Sequence, residues 1–294
     1  MTPLVNPTNH RVLVLGATGM LGNAMLRVLS ASPGVDTVGS ARSPNSVRLL
    51  PPHLHRLVHT GVDVENPDAL ARLLELTRPT VVVNCIGLVK QLAEANDPLA
   101  ALPINAMLPH RLSRFCALVG ARLIHISTDC VFAGTQGAYT ENSPPDAQDL
   151  YGRSKLLGEV TDDPHAITLR TSIIGHELAS AHGLVGWFLA QSGSVKGYAK
   201  AVFSGFPTVE LATLVRDHVL PRPELQGLHH VSAGAIDKLS LLRLVAAQYR
   251  HAIEIVPDSR LVIDRSLDSS RFRAATGYSP PGWTELVRRM HAFG

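Results

Sequence analysis

Val12-Leu-Val-Leu-Gly16-Ala-Thr-Gly19-Met-Leu-Gly22 is the stretch whose reading decides the fold. Four apolar residues form a short strand. The glycines, spaced GxxGxxG, form a turn, and the amphipathic run Met20–Leu29 follows as a helix. Glycine allows the tight bend and lets a phosphate approach the main chain. The helix start adds unpaired N–H groups and about half a positive charge. The strand–turn–helix context makes this a dinucleotide-binding turn rather than a packing turn. Gly16, Thr18, Gly19, Met20, Leu21 and Gly22 are its cofactor-facing residues.

Outward from that turn, short β-like runs alternate with amphipathic helical stretches over the first 175 residues. Strands are expected at Val12–Leu15, Val35–Ser40, Arg56–His59, Val81–Asn84, Leu123–Ile126 and Ile167–Arg170. Helices are expected at Met20–Leu29, Pro67–Leu76, Leu99–Leu118 and Tyr151–Val160, with Pro103 and Pro109 dividing the third. Residues 134–150 read as a loop. Runs such as Val81-Val-Val83 are apolar without alternation, as in strands buried on both faces. The pattern predicts an α/β, Rossmann-type doubly wound parallel sheet with a smaller discontinuous C-terminal substrate lobe. Residues 1–175 form the core, 228–248 return to it, and 176–227 with 249–294 build the lobe.

Composition narrows the class. The 294 residues are 45% hydrophobic and 17% charged, with a net charge of +3 when His is neutral. That balance fits a globular chain and argues against a nucleic-acid partner. Cys85, Cys116 and Cys130 show no CxxC spacing, so neither a disulfide framework nor a zinc site is expected. His125 and the pair His229-His230 fall in strands without metal-ligand spacing. No apolar run approaches the ~20 residues needed to span a bilayer. No basic stretch precedes a signal-like apolar run, so a cytoplasmic location and no membrane partner are expected.

The second strand ends Gly39-Ser40-Ala41-Arg42, with no acid at its tip to accept from ribose hydroxyls. Asp36 lies too far back. Ser40 and Arg42 suit a 2′-phosphate, so NADP(H) is preferred and NAD(H) stays an alternative. The other reading of Arg42 is a solvated loop residue. Asp63 and Val64 follow the third strand and border the adenine. Cys85, Ile86 and Gly87 follow the fourth and line the groove.

Tyr151-Gly-Arg-Ser-Lys155 places a phenol and an ammonium on one helical face. A phenol with a pKa near 10 is a poor acid–base group at neutral pH, and a neighbouring cation lowers it. Lys155 also suits the nicotinamide ribose. Thr128 ends the fifth strand 23 residues earlier and offers a hydroxyl to a reacting carbonyl. Each feature alone has a structural reading, as an amphipathic pair or a strand-end cap. Their order along the chain joins them into one site.

These motifs resemble the extended short-chain dehydrogenase/reductase superfamily, and within it the dTDP-4-dehydrorhamnose reductases and related sugar-nucleotide reductases. The resemblance rests on residues 16–22, Ser127–Phe132, Tyr139–Glu141, Tyr151–Glu159, Leu169–Thr171 and Gly205–Thr208. It implies a catalytic set of Thr128, Tyr151 and Lys155, with Asn105 supporting a proton-relay water. It implies a nucleoside-diphosphate sugar as substrate, bordered by Asp129 and Thr208.

The chain departs from that pattern after the fourth strand, where Lys90 and Gln91 face the substrate side. Lys90 is read either as a diphosphate contact or as a solvated loop lysine. Cys130 stands where the related 4,6-dehydratases carry a Glu base. In enzymes resembling GDP-fucose synthase a Cys there works with a downstream His, for which His176 and His182 are the candidates. The bland reading packs Cys130 under the nicotinamide. Of the arginines Arg265 and Arg271, Arg271 is taken as the diphosphate contact. Reduction, epimerisation with or without reduction, and a non-catalytic regulatory subunit all stay open, as does a homodimer.

Overall fold

The computed structural model describes residues 10–90 and 93–294. Its central sheet holds β1 (His10–Leu15), β2 (Val35–Ala41), β3 (Val58–Thr60), β4 (Val81–Asn84), β5 (Arg122–Thr128), β6 (Ala166–Thr171) and a last strand, Gly227–His230. The strand order is β3-β2-β1-β4-β5-β6 and then Gly227–His230, all parallel. The order reverses between β1 and β4, and a groove at that point lies outside the carboxyl ends of the strands.

The described helices are α1 (Met20–Ser30), α2 (Pro44–Val47), α3 (Pro67–Thr77), α4 (Pro98–Ala101), α5 (Leu108–Val119), α6 (Leu150–Leu157), α7 (Leu184–Leu189), α8 (Thr208–Leu214), α9 (Lys238–Tyr249), α10 (Ser270–Thr276) and α11 (Trp283–Phe293). Both faces of the sheet are covered, which explains the unbroken apolar runs. Val12 and Val14 pack on one side with α1 and α8, and Leu13 and Leu15 on the other with α3 and α5.

Some boundaries moved for identifiable reasons. The third strand is Val58–Thr60 rather than Arg56–His59, because Pro51 and Pro52 start a 3-10 turn over Pro52–Leu57. The expected helix at 99–118 divides into α4, a π-helical segment Leu102–Met107, and α5. Pro103 lacks an N–H, which opens the ladder there, while Pro109 sits harmlessly in the first turn of α5. α6 stops at Leu157 rather than Val160. At Gly158 the Asn105 carbonyl occupies the space a Cβ would need.

The C-terminal half weaves between two cores. Strands Ser194–Tyr198 and Glu254–Asp258 pair in parallel, and Ala201–Phe203 lies between Ile236–Asp237 and Ile263–Asp264. A cluster of Phe188, Leu241, Leu242, Val245 and Met290 packs with the first of these pairs. α9, expected to return to the main core, contributes to that cluster. Residues 208–225, expected in the lobe, place Leu211, Leu214, Val215 and Val219 in the main core with α1. An apolar helical stripe does not encode which core it will meet.

Leu211 is fully buried there. Leu211→Ala is expected to cost about 2–5 kcal/mol in urea denaturation, through lost burial and a residual cavity. A loss below about 1 kcal/mol would remove α8 from the main core.

Candidate active site

The glycine turn shows why these residues are required. Gly16 has φ +77°, and a Cβ on it would stand 2.8 Å from Ile86 Cγ1. Gly22 packs against the Gly16 carbonyl, so any side chain at 22 would displace the turn. Gly19 caps α1 without a capping side chain, and the first turn carries no acid. Those helix N–H groups stay available to an anion, which fits a dinucleotide pyrophosphate.

Beside the turn opens a cleft of about 430 Å³, within the range of small-molecule sites. Gly19, Met20, Leu21, Cys85, Ile86, Gly87, Lys90, Thr128, Asp129, Cys130, Tyr151, Lys155 and His182 all line it.

α6 carries the phenol and the ammonium. Asp149 starts the helix by accepting from the Gly152 N–H at 2.8 Å. Gly152 lies directly on the Cys130 carbonyl, which brings the first turn of α6 against the end of β5. Lys155 Nζ donates to the Ile126 carbonyl at 2.9 Å. Burial lowers the Lys155 pKa to about 8, against a smaller raising effect of Glu159. Burial, with the nearby Cys130 thiol, raises the Tyr151 pKa, while the Thr128 hydroxyl works to lower it. In this cleft the phenol is therefore held protonated at neutral pH. Thr128 itself accepts from the Cys130 N–H at 3.1 Å and donates to Asp129 at 3.2 Å.

The family profile of the RmlD substrate binding domain matches residues 10–292. The chain belongs to that family. The motifs that carry the resemblance, from Gly16 to Thr208, lie within the matched span. The methionine adenosyltransferase 2 subunit beta of Mus musculus is 34% identical over 155 residues, covering 53% of this chain and 43% of that protein. The dTDP-4-dehydrorhamnose reductase of Mycobacterium tuberculosis is 30% identical over 206 residues, covering 63% and 61%. The chain thus spans about half the length of these curated relatives. The crystal structure of dTDP-4-dehydrorhamnose reductase from Bacillus anthracis in complex with NADP superposes with TM-score 0.78 at 20% identity, over 97% of this chain and 100% of that one.

Other expected residues of this RmlD-family chain fall outside the cleft lining. Asn105 is buried. Its Oδ1 accepts from Leu88 N at 2.9 Å, and its Nδ2 donates to Leu88 O and Ser154 Oγ. The amide thus grips the loop after β4. Ser40 is buried, and it meets the turn through its carbonyl, which accepts from Ala17 N at 2.9 Å. Arg42 is exposed just beyond β2. Thr18 is half-buried in the turn. Asp63 is exposed and accepts from Glu65 N, and Val64 packs into the core under α3.

The substrate-side residues fall in different places. Arg271 pairs with Glu141 and Asn142 at the surface, whereas Arg265 lines the cleft and donates to the Phe132 carbonyl at 2.8 Å. His176 bonds the Tyr249 hydroxyl at 2.7 Å and does not line the cleft. Thr208 is buried beneath Gly175. Lys90 lines the cleft and pairs with Asp149 at 2.6 Å. Gln91 lies outside the described residues. Reading the sequence missed Glu177, Phe203 and Lys238, all in the cleft wall. Lys238 and Arg265 both act on the buried Asp129 carboxyl, whose pKa burial raises against their pull. The pairing of Ala201–Phe203 with Ile263–Asp264 brings Phe203 and Arg265 together, and no local pattern announces it.

Burying Lys155 has a pH signature. Its folded pKa of about 8 lies below its ordinary 10.5, so between those values the unfolded chain binds more protons. Stability should therefore rise with pH across that window, by up to roughly 3 kcal/mol. Lys155→Met should melt several degrees higher than wild type below pH 8, and the gap should close above about pH 10. A gap independent of pH would show that Lys155 is not held out of water.

Proposed function

We propose that this chain is an NADP(H)-dependent oxidoreductase that reduces a keto group, at C4, on a nucleoside-diphosphate deoxysugar. The observation that carries this reading is the convergence of Thr128, Tyr151 and Lys155 in one cleft with the uncapped start of α1. The names of the Mycobacterium tuberculosis and Bacillus anthracis proteins support the same substrate class and cofactor.

A reduced nicotinamide bound beside the turn would supply the hydride. Tyr151, held protonated by burial, donates its proton to the carbonyl oxygen, and Thr128, turning its one O–H from Asp129, donates a hydrogen bond to the same atom. Lys155 supplies a positive charge on the same helical face, which stabilises the phenolate left behind. Arg42, exposed just beyond β2, would meet a 2′-phosphate, which favours NADP(H) over NAD(H). Leu88, Val89 and Phe203 give the cleft apolar walls suited to a deoxysugar, and Lys90, Lys238 and Arg265 give it cations suited to a diphosphate.

The epimerase reading needs Cys130 to exchange protons near neutral pH. Burial and the adjacent Asp129 push that thiol up to about 12. His182 lines the cleft, while His176 is engaged by Tyr249. The balance favours reduction. A role as a cofactor-binding subunit, which the name of the mouse relative brings to mind, makes no use of the Thr128–Tyr151–Lys155 convergence.

Incubation with NADPH and a panel of 4-keto sugar nucleotides should consume NADPH. Tyr151→Phe should bind NADPH normally and turn over about 10²–10⁴-fold more slowly. Undiminished activity in that variant sinks the mechanism, and NADPH binding without consumption across the panel favours the subunit reading. Arg42→Ala should weaken NADPH binding by about tenfold or more in a fluorescence titration and leave NADH binding unchanged. Equal loss for both cofactors would assign the 2′-phosphate elsewhere.

A further inference from the structure

Glu159 lies just past α6, four residues after Lys155, and is absent from the cleft wall. Its Oε1 accepts from Ser127 Oγ at 2.6 Å and from Arg170 Nε at 2.7 Å, and its Oε2 accepts from Arg170 Nη2 at 2.6 Å. Glu159 and Arg170 side chains are 3% and 4% exposed. One carboxylate thus joins the end of α6 to the ends of β5 and β6. Arg170 is fixed in turn by His230 Nε2 at 3.3 Å and lies over the Phe132 ring at 5.2 Å.

Stability alone explains this arrangement poorly, because a buried ion pair often gains little over apolar residues of the same volume. Its location offers another account. Ser127 immediately precedes Thr128, and α6 carries Tyr151. Among the described residues α6 also meets this strand end through Gly152 on the Cys130 carbonyl, Lys155 Nζ on the Ile126 carbonyl, Leu156 against Val131 and Phe132, and the Thr128 hydroxyl beside the Tyr151 phenol. Lys155 must serve that carbonyl and any ligand with the same three N–H donors. The Ser127–Glu159 bond makes no such demand, since Glu159 stands outside the cleft.

We propose that Glu159 is a positioning residue that acts through Ser127 to set the separation between the Thr128 hydroxyl and the Tyr151 phenol. This rests on the reading of Thr128 and Tyr151 as the groups that serve the carbonyl. A displacement of about 1 Å between such groups is enough to cost about 10²-fold in rate.

Ser127→Ala in the full chain cuts the tie and leaves the Glu159–Arg170 pair intact. It is expected to lower kcat about tenfold or more with KM values within about twofold of wild type, and Ser127→Thr, which restores the hydroxyl, should recover most of the loss. Wild-type kcat in Ser127→Ala, or a Thr variant as slow as the Ala variant, overturns the proposal. Crystal structures of wild type and Ser127→Ala provide a readout free of turnover. The Tyr151–Thr128 oxygen separation should grow by about 0.5 Å or more in the variant, and an unchanged separation overturns the proposal by itself. Should wild type reduce no keto-sugar nucleotide, the substrate reading falls, while the crystallographic comparison still decides the tether.

Discussion

The whole site depends on one close approach of main chain to main chain. The Gly16 carbonyl occupies the space in which a side chain at 22 would stand, and it also accepts from the Gly19 N–H at 3.0 Å. That contact allows α1 to begin immediately after β1, at the point where the strand order reverses. The free N–H groups at the start of the helix then border the same opening as the ends of β4 and β5. A larger residue at Gly22 would push the helix off the turn, and one at Gly16 would strain a φ of +77° and crowd Ile86, before any catalytic group became relevant.

Burial does the electrical work in the cleft. It drives Tyr151 toward its neutral form and Lys155 toward a pKa of about 8. The Lys155 shift leaves a readily exchanged cation. The Tyr151 shift runs against the lowering its role calls for, and it keeps the phenol neutral until a cation beside it stabilises the phenolate. The two shifts also make the site a local weakness of the fold, since a desolvated ammonium costs free energy that an apolar side chain would not. The Glu159–Arg170 pair stands behind it as a rigid, fully bonded support.

Local chemistry was legible in the sequence, and long-range placement was not. Gly16 and Gly22 announced their role because the first takes a φ of +77° and the second leaves no room for a side chain against the Gly16 carbonyl. Tyr151 and Lys155 did so because helical spacing puts them on one face. Arg265 and Arg271 were indistinguishable as text. Only the pairing of Ile263–Asp264 with Ala201–Phe203 turns the first into the cleft and leaves the second at the surface. α8 likewise carried an apolar stripe that named no partner. Asn105, expected to support a relay water, bonds through its side-chain amide to the main chain of Leu88 and to Ser154 Oγ, a partnership that no local pattern announces.

The ion pair of Lys90 with Asp149 has a consequence for ligand recognition. Asp149 divides its oxygens, one for the Gly152 N–H at the start of α6 and the other for Lys90. An arriving anion meets a lysine that is already neutralised, so the encounter is a swap of counter-ions rather than a gain of one. Swaps of this kind add little net affinity and reward geometry instead. The helix keeps its cap throughout, so the phenol two residues along need not shift when the exchange occurs.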